Sequence, residues 1–175
     1  MNIEIIKATK KDSLDLSIMT GELLQEIMDK INIKAFSFNQ KETQERAEDL
    51  ISKNLYFVFI AKEKDKSIGF ISMYESYALY AEGAYGTIPE LYVKEEYRSL
   101  NIGKLLLEKA KEFAISKKWK RLEVTTPPLP QFDRTLSFYE DNSFEIAGGR
   151  KLKTDIELGW LDNKTQEEVS TFKNP

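Results

Sequence analysis

The chain predicts an α/β (α+β) fold, one domain with a mixed sheet flanked by helices. Three observations carry this expectation. The length, 175 residues, suits one core, since a single domain ordinarily spans roughly 100 to 200 residues. Residues 54–76, NLYFVFIAKEKDKSIGFISMYES, set two apolar runs around a polar EKDKS, the pattern of an antiparallel hairpin. From residue 87 to 142 strand-like and helix-like stretches alternate, which implies a locally parallel pair joined by a crossover helix.

Each element follows from local chemistry. Residues 2–8, NIEIIKA, alternate apolar and polar side chains and read as a first strand. Over 9–31, Leu14, Leu16, Leu23, Leu24, Ile27 and Ile31 indicate a helix, with Gly21 as a candidate break. A second helix is expected over 41–53. After the hairpin, YALYAEGAYG at 77–86 reads as a glycine-bearing, tyrosine-rich loop. The strand TIPELYV at 87–93 contains Pro89, which has no N–H to give to a ladder, so the sheet should be interrupted near it. A helix begins after Gly103, carried by Leu105, Leu106, Leu107 and Ala110. The strand RLEVTT, 121–126, runs into TPPLP, whose prolines continue neither sheet nor helix. Asp133 is the expected N-cap of a last helix over 133–142. Closing strands are expected at about 144–148 and near 155–161. One domain thus covers residues 1–162, followed by a polar C-terminal tail at 163–175.

Composition excludes several kinds of chemistry. With no cysteine and no histidine, the chain has no disulfide, zinc finger, thiol nucleophile or imidazole base, and no metal is expected. Proton transfer falls to Glu, Asp, Tyr, Lys or water. A net charge of -3 with lysines scattered among glutamates gives no broad basic footprint, so nucleic acid is not an expected partner. No apolar run is long enough to span a bilayer, and MNIEIIKATKKD lacks the basic start and apolar stretch of a secretory signal. A cytoplasmic location and no membrane partner are expected.

The stretch EEYRSLNIGKLLLEKA, 95–110, turns from charged to apolar within a few residues. A helix starting there leaves its first N–H groups without partners, and aligned peptide dipoles favour an anion, phosphate above all. Gly103 allows close main-chain approach, Asn101 tolerates positive φ, and Arg98 and Lys104 add charge on either side. The turn is therefore either a phosphate cradle or a simple cap. It carries neither the phosphate-loop motif nor three spaced glycines.

Two motifs decide between these readings. The segment TIPELYVKEEYRSLNIGKLLLEKAKEFAISKKWKRLEV resembles the acyl-CoA-binding core of the GNAT family of N-acetyltransferases, whose signature is Arg/Gln-x-x-Gly-x-Gly/Ala. Arg98 takes its first position and Gly103 its last, and Asn101 stands where the family commonly has glycine. About 40 residues on, RTLSFYEDNSF is similar to the family's A-x-x-FYE-x-x-GF segment, with Phe138 and Tyr139 on its aromatic pair, Thr135 for the small residue and Ser143 for glycine. The resemblance runs from about 56 to 149. It implies a mostly antiparallel six- or seven-stranded sheet, splayed in the middle and flanked by about four helices. The co-substrate would be acetyl-CoA and the acceptor a small-molecule amine or a peptide. By analogy with the family a homodimer is expected.

Site residues follow from the same resemblance. Main-chain N–H groups from Ser99 through Lys104, including Asn101, Ile102 and Gly103, would cradle the coenzyme's pyrophosphate. Leu91 would line the channel for the pantetheine arm, and the Val93 N–H would donate to the thioester carbonyl. Glu90 matches the position where several members carry a base; by pattern it shares a face with Tyr92 and is otherwise a solvent-facing or ion-paired residue. Tyr139 is either a core aromatic or the acid that protonates the departing thiolate. Glu75, Glu82, Tyr77, Tyr80 and Tyr85 offer acids and aromatics suited to a cationic amine. The implied activity is N-acetyl transfer by direct attack in a ternary complex, with a non-catalytic acyl-CoA-binding sensor as the alternative.

Overall fold

The computed structural model describes residues 2–81, 83–148 and 151–154. The chain divides into two compact units, Met1–Ser143 and Phe144–Pro175. The second has neither helix nor strand at 144–148 or 151–154, so the closing strand expected at 144–148 is corrected to irregular chain. The strand expected near 155–161 lies outside the described residues.

The first unit contains β1 (Ile3–Lys7), α1 (Ser13–Ile31), α2 (Gln40–Ser52), β2 (Phe57–Glu63) and β3 (Lys66–Ala78). It continues with β4 (Gly83–Ile88), β5 (Leu91–Val93), α3 (Ile102–Ser116), β6 (Leu122–Val124) and α4 (Asp133–Asp141). The sheet has six strands in the order β1-β2-β3-β4-β6, with β5 also on β3. Pairings are antiparallel except β4 with β6, which is parallel and crossed by α3. The mixed fold with four helices agrees with the reading of the sequence.

Several local readings change. α1 runs unbroken through Gly21, where a Cβ would lie 2.7 Å from the Phe38 ring, so this glycine serves packing rather than a break. Thr9 and Asp12 cap each other's main chain ahead of α1, and Asn39 caps α2 by accepting from the Glu42 N–H at 3.1 Å. Residues 77–78 and 83–86, read as loop, extend the β3–β4 hairpin instead. Asp133 is not the cap of α4; Phe132 occupies that position without a side-chain cap bond, and Asp133 sits in the first turn, where a carboxylate still meets the positive end of the helix.

The sheet buries both faces. Val58, Ile60, Phe70 and Tyr92 pack with Ala8 and with Leu16 and Met19 of α1. On the opposite face the register pairs Phe57 with Met73 and Phe59 with Ile71, and Phe113 of α3 meets the two phenylalanine rings at 4.8 and 5.6 Å. Alternation along each strand produces this two-sided core. No helix among the described residues is long and apolar enough to cross a membrane.

Pro89 does interrupt the sheet. Thr87 pairs with Tyr74 and Leu91 with Ile71, so residues 88, 89 and 90 stand opposite only residues 72 and 73 of β3. That extra residue is a bulge, the arrangement in which proline is tolerated. Downstream of it, β6 does not follow: its pairing with β4 ends at Ile88–Val124. Among the described residues no strand pairs with the far side of β5, and the sheet opens there.

Candidate active site

The opening forms a cleft of about 1140 Å³ bounded by α1, the bulge and β5, the turn into α3, the chain after β6, and α4. The residues selected from the sequence for coenzyme binding and proton transfer line it: Glu90, Leu91 and Val93; Arg98 and Ser99; Asn101, Ile102, Gly103 and Lys104; and Tyr139.

Hydrogen-bond alternation decides which way β5 directs its main chain. The Ser72 N–H donates to the Glu90 carbonyl at 3.0 Å, and the Lys94 N–H donates to the Ile68 carbonyl at 2.9 Å. Residues 90 and 94 therefore direct their main-chain groups at β3. Leu91 and Val93, one out of phase, turn theirs toward the cleft.

At the turn, Ser99 and Asn101 both have positive φ, 66° and 61°. Asn101 precedes α3 and makes no side-chain cap, so the first N–H groups of the helix receive no such acceptor. Ile102 is buried, and only its main chain can serve a ligand. A Cβ on Gly103 would lie 3.5 Å from the Phe138 ring, an ordinary contact. No protein atom demands glycine there, yet its absent side chain leaves room over the helix end. Lys104 is exposed, 3.9 Å from Glu108.

Arg98 departs from the expected free charge beside the turn. Its Nε donates to the Val93 carbonyl at 2.9 Å, and its two terminal nitrogens donate to both oxygens of Glu26 on α1, at 3.0 and 2.5 Å. Burial acts to raise the Glu26 carboxyl, but hydrogen bonds from Arg98 and Lys30 outweigh it and hold that group below its usual range. Lys94 likewise pairs with Glu22 of α1 at 2.9 Å. Two ion pairs thus brace α1 against the β5–α3 connection, and Arg98 shapes the turn more than it charges it.

Two side chains face the gap with chemistry to offer. Glu90 is half-buried and accepts hydrogen bonds from Tyr56, at 2.5 Å, and from Ser72. Tyr139 of α4 is 4% exposed, packs on Phe138 with ring centroids 5.3 Å apart, and is pushed well above the ordinary phenol range by burial. Tyr92, under the Arg98 guanidinium, is raised to about 12 by burial and by Glu22.

The residues chosen for an amine acceptor do not meet this cleft. Glu75 instead accepts from Trp119 Nε1 at 2.5 Å and from Tyr77, while Tyr80 and Tyr85 flank Arg121 at 5.7 and 4.5 Å. None of these four lines the opening, and Glu82 lies outside the described residues. The acidic wall is α1, with Glu22, Glu26 and Asp29, a spacing of four and three that places them on one helix face. That spacing was the available signal. Tyr56 and Ser72 were also missed; Ser72 stood out only as a hydroxyl within an apolar run. Among the described residues no three acidic side chains group to hold a metal.

Solved structures share this architecture. An integron cassette protein from the mobile metagenome of Cole Harbour Salt Marsh matches with a TM-score of 0.72 at 18% identity, over 88% of this chain and 91% of that one. An aminoglycoside acetyltransferase from an uncultured soil metagenomic sample matches at 0.67 and 22%, over 89% and 96%. A ribosomal-protein-alanine N-acetyltransferase from Brucella melitensis biovar Abortus 2308 matches at 0.67 and 17%, over 88% and 100%. Comparison with curated protein sequences finds no match. The family model described as Acetyltransferase (GNAT) family matches residues 23–144, a span that holds the bulge, the open strand, the turn and the α4 tyrosine together. On that match the chain belongs to the GNAT acetyltransferase family.

Proposed function

We propose that this chain is a cytoplasmic acetyl-CoA-dependent N-acetyltransferase acting on a primary amine of a small molecule or peptide, by direct attack in a ternary complex. One observation supports this above the others: β5 turns the Leu91 main chain and the Val93 N–H into the same cleft that receives the uncapped start of α3. One edge suits an extended amide-bearing arm, and the helix start suits its diphosphate. Names of similar structures include both an aminoglycoside and a protein acceptor class, so the acceptor is set no more narrowly.

Each residue then has a task. N–H groups from Ser99 to Lys104 hold the diphosphate. The Val93 N–H donates to the thioester carbonyl, where an oriented donor is worth about 3 kcal/mol as negative charge develops. Glu90 takes one proton from the acceptor ammonium, directly or through a water, and the freed amine attacks the acetyl carbon. As the C–N bond forms and the C–S bond breaks, sulfur leaves with the electron pair. Tyr139, kept neutral by burial, donates its proton to that sulfur and is re-protonated with the proton lost by the new amide nitrogen.

Thermal-shift titration with acetyl-CoA, with ATP and NAD as controls, followed by thiol release over polyamines, amino acids, aminoglycosides and peptides, tests the reading. A melting temperature raised by acetyl-CoA alone and thiol release with at least one amine are expected. No shift would overturn it. A shift without release across the whole panel would make the chain a coenzyme-binding module.

A further inference from the structure

The hydrogen bonds around Glu90 distinguish its two carboxylate oxygens. The bulge sets Glu90 opposite Ser72 of β3, its carbonyl accepting from the Ser72 N–H. Tyr56, the residue before β2, reaches the same place. Its hydroxyl donates to Glu90 Oε2 at 2.5 Å, and the Ser72 hydroxyl donates to that same oxygen. No described residue donates to Oε1.

Both donors are fixed. Ser72 is fully buried between Ile71 and Met73, themselves core residues, and a lone hydroxyl in such a run needs an acceptor. The Tyr56 ring stacks on Tyr74, with centroids 6.2 Å apart and planes 12° from parallel. Burial and the neighbouring Glu90 charge push its phenol far above the ordinary range, which favours the hydroxyl as a donor.

We propose that Tyr56 and Ser72 are positioning residues that hold Oε2 of Glu90, so that Oε1 alone exchanges the proton of the acceptor ammonium. The inference rests on the acetyltransferase reading above. The proton balance is simple: the ammonium gives one proton to Oε1, and the N–H bonding pair stays on nitrogen as the lone pair that attacks. Oε2 accepts from both hydroxyls whether the carboxyl is charged or neutral, so neither donor moves during the transfer. A carboxylate aimed by two donors loses less orientational freedom on reaction than one free to rotate.

The experiment is a double-mutant cycle under steady-state conditions, with acetyl-CoA and an amine that the unaltered protein acetylates. Tyr56→Phe and Ser72→Ala should each lower kcat about tenfold, while KM for acetyl-CoA stays within about twofold. In a Glu90→Gln background neither should lower kcat further, because residues acting through one group are non-additive. Tyr74→Phe, which keeps the ring stack, should leave kcat unchanged. Losses that add to Glu90→Gln, an unchanged kcat in both single variants, or an equal loss in Tyr74→Phe would each overturn the proposal. Circular dichroism and acetyl-CoA binding report folding, and if Ser72→Ala unfolds the cycle stands on Tyr56→Phe. An unaltered protein that releases no thiol with any amine refutes the acetyltransferase reading; an active protein with indifferent variants refutes this inference alone.

Discussion

β4 and β5 lie end to end on the same partner strand, yet one is closed and the other open. β4 pairs with β3 on one side and with β6 on the other, and the ring of Trp119 covers it. β5 pairs with β3 only. One extra residue at the Pro89 bulge separates the two states. In the closed half residues 86 and 87 pair on both sides; in the open half the Leu91 main chain and the Val93 N–H are left for a ligand, the Val93 carbonyl being taken by Arg98. The same backbone chemistry serves either end, and the outcome depends on whether a neighbouring strand is present.

Two glycines make the contrast testable, beginning with the largest effect. A Cβ at Gly86 of β4 would lie 2.4 Å from the Trp119 ring and 2.6 Å from Leu122. Gly86→Val should therefore lose about 3 kcal/mol by forcing a close-packed interior apart, read from chemical denaturation. A small loss would mean the closed half is not tightly packed. Gly103→Val, at the open half, should instead weaken acetyl-CoA binding by about 2 kcal/mol, roughly thirtyfold, with stability unchanged or higher because glycine disfavours helix. Calorimetric titration beside a melting curve separates the two; equal losses of binding and stability would erase the distinction between the halves.

Smaller effects sharpen the functional side. Tyr139→Phe should lower turnover about tenfold with acetyl-CoA affinity nearly intact, since only the proton donor is removed. Unchanged turnover in stopped-time assays would leave Tyr139 as a core aromatic. The smallest effect concerns the α1 brace. Glu26 is held below the usual carboxylate range, so its pairing contributes stability that is present above that range and lost as pH falls through the lower folded value. Its side chain is a quarter exposed and that of Arg98 more so, which keeps the contribution below about 1 kcal/mol. Glu26→Gln should remove that part of the acid limb in a pH series of denaturation midpoints; an unaltered limb would show that the brace carries no folding energy.

Much of the site was written locally in the chain. The missing N–H of Pro89 broke the sheet near residue 89. Asn101 adopted the left-handed geometry its side chain tolerates, with Ser99 doing the same where no such preference announced it. The apolar spacing of Leu106, Leu107 and Ala110 buried α3. Other readings failed where tertiary context outweighed a local signal. Gly21 stayed helical because Phe38 packs against it, and Phe132 took the cap position expected of Asp133. The tyrosine-rich stretch became hairpin because β3 had strand length to pair with it.

By itself the sequence determined the element order, the break at the proline, the left-handed Asn101 before α3 and the absence of cysteine and histidine chemistry. Each depends on one residue's own dihedral limits, donors or periodicity, which act over a few positions. Only the tertiary structure decided that Arg98 is taken up by Glu26, 72 residues away, that Tyr56 reaches Glu90 across 34, and that α1 rather than the hairpin supplies the acidic wall. Those partnerships arise from strand register and helix docking, and no local propensity encodes which distant side chain will arrive opposite another.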